Sequence, residues 1–406
     1  MSAAGRLDSG SDGGHHLTVP ATPPTLVRLL VRGMRSAAGR PADARRTRWA
    51  DVADRARDLA LGLLVEEAVD GTVVTVDADT LHPAEVVACE VAVWAAGGAV
   101  RLAGSAPGPV LGRRTGRRDR DEVDLDVDRL VATGRSADLA PDAHERRLAT
   151  LDPAAPAVVG PAGVHSHAQM AWAVRSVQQW LRELLPEGPS VVAVDGGRTD
   201  VAGVLLTRWW PAVEGARTVP VRPGTSAAVI AEIGPDVVVA GPSEWHHVAA
   251  RVREVAPAVR LGPAMLRAGR TVAAGEPGQS AATTWATTTW ATTSRWVVGR
   301  RVRDAALVGS VAAGVCLGGL RTVDGRDLDA AGLPVVSTWL EPALAAPVAA
   351  GVTGSGRTEG WGRPLPGRTV DVGRPTTVTG GDVDGPVPVR PARADRHRVR
   401  LPARGR

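Results

Sequence analysis

Phenylalanine, tyrosine, lysine and asparagine are absent from this chain of 406 residues, and isoleucine occurs only twice. The codons of these residues are AT-rich, so their joint absence marks an extremely GC-rich coding sequence rather than a function. It still has a chemical consequence. Every one of the 48 Lys-plus-Arg positions is arginine, a group that stays charged and cannot act as a lysine nucleophile or base. Twelve tryptophans do the aromatic work. Two cysteines, Cys89 and Cys316, exclude a disulfide framework and any cysteine-based zinc site. No apolar run reaches the roughly 18 residues that cross a bilayer. The nearest, residues 305–320, is rich in Gly and Ala and follows Arg300, Arg301 and Arg303. The N-terminus lacks the apolar centre of a signal peptide. The expectation is a cytoplasmic protein with no transmembrane segment.

What is present suffices for a sizeable core: 44% of residues are hydrophobic and 22% charged. The net charge is +5, but residues 386–406 alone hold seven arginines against one aspartate. The body is therefore close to neutral and the basicity belongs to the tail. Such a tail is either a solvated end or a contact for an anionic surface. No aromatic residue interleaves its arginines, so no nucleic-acid partner is expected. Composition divides the chain into a disordered stretch at 1–22, one large domain at 23–380 and a disordered Arg/Pro-rich tail at 381–406.

Apolar periodicity predicts helices at 25–35, through Leu26, Leu29, Leu30 and Met34, and at 49–64, through Val52, Ala56, Leu59 and Leu63. A strand at 71–76, a helix at 83–96 opened by Pro83, and a strand at 99–102 follow. Strand, helix, strand in this order reads as a parallel βαβ unit. Residues 104–122 read as a charged loop. The alternation resumes with strands at 157–159, 190–194, 218–221 and 236–240 and helices at 168–185, 202–210, 226–233 and 244–255. Further strand candidates lie at 304–309 and 334–336. The fold class is α/β: layered parallel or mixed sheets with flanking helices. Residues 283–296 repeat Trp every five or six positions, as a stacking platform or as low-complexity drift in a loop. From Gly351 onward Gly, Pro and Arg dominate and compact structure is not expected.

The chemical motifs are sparse. His165 and His167 are two apart and share a face only on a strand. His246 and His247 are adjacent, and no pair has the i, i+4 spacing with a carboxylate that binds zinc. No G-x-S-x-G elbow occurs. Asp195, Gly196 and Gly197 follow a strand, as a phosphate contact or as an ordinary turn. Asp382 and Asp384 in TGGDVDG read as a turn with a possible ribose contact.

The order of several segments carries more. WADVADRARDLALGLL near the start, VAVWAAGGAVRL around residue 96, VHSHAQ at 164–169, AGPSEW with Pro242 and Trp245, RDAALVGSVA at 303–312, LPVVSTWLEP at 333–342 and GWGRPLPG at 360–367 together resemble the adenylate-forming, AMP-binding superfamily. Within it they are most similar to the long-chain fatty acyl-CoA synthetases, over about residues 25–380. The resemblance implies ATP and Mg²⁺ as cofactors, a fatty acid or acyl-adenylate as ligand, and a large N-terminal α/β domain. It implies a nucleotide side formed by Gly309 and Ser310, by Trp339 in place of an adenine-stacking Tyr, by Glu341 near the family's Mg²⁺-holding Glu, and by Asp382 as a ribose contact.

The departures imply an impaired enzyme of fatty acid metabolism. These enzymes activate a carboxylate by its attack on the α-phosphate of ATP and pass the acyl group to CoA. A Gly/Ser/Thr loop ending in Lys, TSGTTG-x-PKG, holds the triphosphate through backbone N–H groups, hydroxyls and a cation. Only residues 160–162 stand in its place here. The His of the family's PLAH segment falls on Asp200. The stretch after GRPLPG offers no counterpart to the small C-terminal domain with its catalytic Lys. Removing one charge-stabilising group costs about 10²–10³ in rate, so the expectation is a pseudoenzyme with no catalytic residue and no metal ligand. Two alternatives remain open: residual adenylation or ligand binding with a partner's help, and an interaction protein acting through its basic tail.

Overall fold

The computed structural model describes residues 24–259 except 103–107, 114–123, 141, 162, 196–199 and 223–226. It also describes 298–340 except 307, and short segments at 5–8, 262–264, 266, 344–345, 347, 349–352, 361–365, 369–372, 376–379, 387–389, 393–394 and 399–400. After β1 (Gly5–Asp8) come α1 (Leu26–Ser36) and α2 (Trp49–Val65). A first sheet is then built from β2 (Val73–Val76), β3 (Ala99–Arg101), β4 (Val110–Gly112), β5 (Leu125–Asp126), β6 (Pro156–Gly160) and β7 (Gly163–Ser166). Its order is β5-β4-β2-β3-β6-β7, parallel throughout except for the β6–β7 hairpin.

Helix α3 (Pro83–Ala95) connects β2 to β3. It begins at Pro83, which needs no N–H partner at that position, and Glu85 accepts from the His82 backbone N–H at 3.2 Å. Eleven of its residues, from Ala84 through Ala95 with the single break at Glu85, are buried. A helix apolar on nearly every side must lie inside the molecule, and α3 does: it packs on β2 and β3 and also on strand β9 (Arg217–Val221) of the second sheet. Helices α4 (Val127–Ser136) and α5 (Ala143–Thr150) complete this half. Gly62 of α2 and Gly134 of α4 let the two helices touch backbone to backbone: a Cβ on Gly134 would fall on the Asp58 carbonyl, and one on Gly62 on the Leu130 carbonyl.

The hairpin runs into α6 (His167–Leu184). Ser166 and Gln169 cap it reciprocally, with the Gln169 N–H on Ser166 Oγ at 3.3 Å and the Ser166 N–H on Gln169 Oε1 at 2.7 Å. Then come β8 (Val191–Asp195), α7 (Val201–Val204), a π-turn at Leu205–Trp209, α8 (Trp210–Glu214), β9, α9 (Ala227–Ile233), β10 (Val237–Ala240) and α10 (Pro242–Val255). After α11 (Arg300–Ala305) stand β11 (Ala313–Cys316), α12 (Thr322–Ala330), β12 (Val335–Trp339), β13 (Ala349–Val352) and β14 (Trp361–Pro364). Strands β9-β8-β10-β11-β12 are parallel, and β13 and β14 join antiparallel beyond β12. Strands β15 (Thr369–Val372), β16 (Thr376–Thr379) and β17 (Val387–Val389) form an antiparallel sheet with β1, while β18 (Arg393–Ala394) and β19 (Val399–Arg400) extend the edge at β14.

One hydrophobic core joins the two parallel sheets through α3 and the π-turn; a second lies under α10, α11 and α12. The expected α/β alternation is observed from β2 to α10. Several expectations need correction. The charged stretch 104–122 contains β4. The strand expected at 304–309 is instead the end of α11 followed by a turn, and the strand is β11. Compact structure is not expected from Gly351 onward, yet β14, β15 and β16 lie there. The Trp repeat at 283–296 lies outside the described residues.

Candidate functional site

In open parallel sheets, ligands meet the carboxyl ends of the strands, where helix N-termini and turns converge. In the second sheet those ends are Val221, Asp195, Ala240, Cys316 and Trp339. Gly241 follows β10 and caps α10; a Cβ placed on it would stand 4.0 Å from Asp195 Oδ2. The turn after β11 is tied to β12 by side chains. Thr338 Oγ1 donates to the Cys316 carbonyl at 2.9 Å and accepts from the Gly318 N–H at 3.3 Å, while Ser337 Oγ accepts from the Leu320 N–H at 3.2 Å. Gly318 sits at φ +125°, a conformation that a residue with a Cβ rarely adopts.

Trp339 ends β12 at this edge but is only 3% exposed. Its strand is buried along its length, so its ring is core and not an open stacking platform. Gly309 and Ser310 do not join it. They lie in the turn before β11, at the opposite end of the parallel strands, with the Asp304 side chain filling the space beside Gly309. The residues adjoining the Trp339 strand end are Gly318 and its neighbours. A Gly-Gly pair after the apolar run at 313–317 was the signal for them. Glu341 and Asp382 lie outside the described residues, as do Gly196 and Gly197. Pro242 opens α10, and Trp245 is buried with its Nε1–H on the Val315 carbonyl at 3.1 Å.

On the first sheet, Gly160 pairs directly with Gly163, so β6 and β7 are joined by the two residues Pro161 and Ala162. Pro161 has no N–H, and neither residue carries a hydroxyl or a charge. A Cβ on Gly160 would come within 2.8 Å of Val201 Cγ2, so the hairpin rests against the start of α7. Asp200 caps that helix, accepting from the Gly203 N–H at 2.8 Å. A triphosphate needs a nest of N–H groups with hydroxyls and a cation, and this turn does not fit one.

His165 ends up on β7 and His167 at the first turn of α6; both are buried. The His167 ring meets Trp94 edge to face, its Nδ1 has no hydrogen-bond partner among the described residues, and burial pushes its pKa down to about 4. It is a core histidine held neutral. Glu90 of α3 is completely buried and accepts from Arg208 and, at 2.8 Å, from Trp209 Nε1. A second buried polar cluster joins α10 to α12: His246 Nδ1 lies 2.9 Å from Asp324 Oδ2, and Arg253 Nη1 donates to Asp324 at 2.8 Å and to Asp327 at 2.9 Å. Among the described residues no group of three or more His, Cys, Asp or Glu is placed to hold a metal ion, and no helix is long and apolar enough to cross a membrane.

No family model and no curated protein matches the chain. Solved structures do. The unliganded O-succinylbenzoate coenzyme A synthetase (MenE) of Bacillus subtilis superposes with a TM-score of 0.57 at 13% identity, over 87% of this chain and 70% of that one. VinN in complex with L-aspartate gives a TM-score of 0.59 at 15% identity, over 89% of this chain and 90% of that one. A nonribosomal peptide synthetase in its AMPPNP-bound form gives 0.60 at 17% identity, over 91% of this chain and 39% of that one. The fold is that of the large N-terminal domain of adenylate-forming enzymes.

Proposed function

We propose that the chain is a member of the adenylate-forming superfamily in which carboxylate adenylation has been lost: a non-catalytic binding protein built on the scaffold of a long-chain fatty acyl-CoA synthetase. The observation that carries this reading is the two-residue turn between Gly160 and Gly163, at the point where the resemblance puts the triphosphate loop. The scaffold around it is otherwise complete, from the βαβ units of the first sheet to β12 and its Trp339. The burial of Trp339 supports the same reading, since a core indole offers no face to a purine. A retained site would sit at the β8, β10, β11 and β12 strand ends, with Gly318, Thr338 and Asp195 at its rim, and a fatty acid or acyl-adenylate is the ligand class it inherits.

The test is calorimetric titration of the purified chain with ATP–Mg²⁺ and, separately, with a fatty acyl-adenylate analogue. The expected result is no heat of binding with ATP–Mg²⁺ at millimolar concentration. Micromolar ATP–Mg²⁺ binding, or pyrophosphate release on adding a fatty acid, would overturn the reading. The titration with the analogue separates a scaffold that still takes an acyl ligand from one that does not.

A further inference from the structure

A cavity of about 240 Å³ lies between α3, the π-turn and strands β8 and β9, and reaches Val194 and Pro220 beside the carboxyl ends of those two strands. Most of its lining residues are apolar, among them Leu81, Pro83, Ala84, Val87, Val194 and Pro220. Polar groups reach it from three residues whose hydrogen bonding is incomplete. Trp49 lines the cavity, is 1% exposed, and its Nε1–H has no partner among the described residues. A buried indole N–H normally finds an acceptor. Arg208 lines it as well; one of its nitrogens is taken by Glu90, and no other described group takes the rest of its five donors. Thr218 adds a hydroxyl that no described group engages, while its backbone N–H is spent on the Ala42 carbonyl at 2.9 Å. Arg208 is presented by the π-turn, a distortion that costs helix geometry and recurs where a side chain must be re-aimed.

We propose that this cavity is a binding site for a small, neutral, largely apolar molecule carrying one hydrogen-bond acceptor, such as an amide. The acceptor meets the donors of Trp49 and Arg208, and the apolar body fills the space between α3 and β9. The size suits a single ring or a short chain: an apolar cavity of about 150 Å³ already holds benzene. Neutrality follows from the charges. Among the described residues of the wall Arg208 is the one ionisable group, and it is already balanced by Glu90, which is completely buried. A carboxylate ligand would bring a second negative charge beside Glu90 with no second cation to meet it, a costly arrangement at low dielectric. The proposal does not rest on the nucleotide reading: Val194 borders Asp195 at the β8 strand end, but none of the lining residues lies at the β10, β11 or β12 strand ends.

The experiment compares benzamide, benzoate and benzene as probes of the full chain by ligand-observed saturation-transfer NMR and by tryptophan fluorescence. Benzamide is expected to bind at least about tenfold more tightly than benzoate or benzene, the loss of one hydrogen-bonded acceptor being worth about that factor. Ala84→Leu, which fills the cavity, should abolish benzamide binding. Trp49→Phe, which keeps an aromatic ring but removes the donor, should weaken benzamide about tenfold and leave benzene no weaker; it keeps the test intact if the leucine variant fails to fold. Benzoate binding as tightly as benzamide, benzamide binding undiminished in Trp49→Phe, or no benzamide binding at about 10 mM would each overturn the proposal.

Discussion

Trp94 and His167 meet edge to face with ring centroids 6.3 Å apart, and the same indole donates its Nε1–H to the Ala157 carbonyl at 2.6 Å. The contact seals the histidine against solvent at the seam between α3, α6 and the first sheet.

A pH dependence follows. Burial moves the His167 pKa from 6.5 to about 4. Below pH 6.5 the unfolded chain takes up a proton at this position, while the folded chain refuses it until about pH 4. The stability held by the neutral ring is therefore complete above pH 6.5 and is lost as pH falls toward 4, a total of about 3 kcal/mol. Burial lowers the His144 pKa too and adds a slope of the same sign. Urea midpoints between pH 7.5 and 4.5 should fall for the parent and fall less for His167→Gln. Equal slopes would show that the proton is not excluded.

The contact between α2 and α4 gives a second prediction. Alanine is the better helix former by about 1 kcal/mol, yet Gly134→Ala and Gly62→Ala should each destabilise by about 1–3 kcal/mol, because each Cβ meets a carbonyl of the other helix. The double variant should cost less than the sum, since one displacement of α4 relieves both clashes. Denaturant titration of the three variants checks this.

Arg253 holds two buried carboxylates, Asp324 and Asp327. Arg253→Met removes their shared cation and should cost about 3–5 kcal/mol. Arg253→Lys should recover much of this, because both bonds leave the single nitrogen Nη1 and an ammonium also carries three donors. A methionine variant as stable as the parent would mean that the cluster contributes little to the α10–α12 contact.

Trp339→Leu bears on whether that side chain is core or ligand contact. A core role predicts a loss of about 2–4 kcal/mol in stability from the removed volume. Ligand binding by the folded variant should be unchanged. Parent-like stability would instead mean that Trp339 packs little and is free for another task.

The fold was largely legible in the sequence because several strands are short apolar runs, such as VVVA of β10, which is buried at every position as parallel sheets covered on both faces require. Helix α3 was legible for the same reason. Strand β4 was hidden because three residues, VLG, carry no periodicity inside a charged stretch. Helices α4 and α5 went unnoticed although Asp126 supplies a cap, accepting from the Arg129 N–H at 2.9 Å, because few of their residues are apolar. Strand β11 was misplaced since ALVGSVAAGVC is apolar throughout and does not say where helix gives way to strand. The error carried Gly309 and Ser310 to the wrong end of the sheet. The cavity at Arg208 left no trace in the sequence: its walls come from segments far apart in the chain and look like any core.

The turn at Pro161 and Ala162 means that folding and chemistry are separable here. A Cβ on Gly163 would meet nothing within 4 Å, so the β7 side of the hairpin faces open space even though Gly160 packs on Val201, and lengthening such a connection costs only about 0.6 kcal/mol per doubling. The sheet is as well satisfied by a tight reversal as by a long phosphate-gripping excursion. Selection on foldedness alone is therefore blind to the difference, and a lineage could shed the reaction in a single deletion while keeping every layer of its architecture.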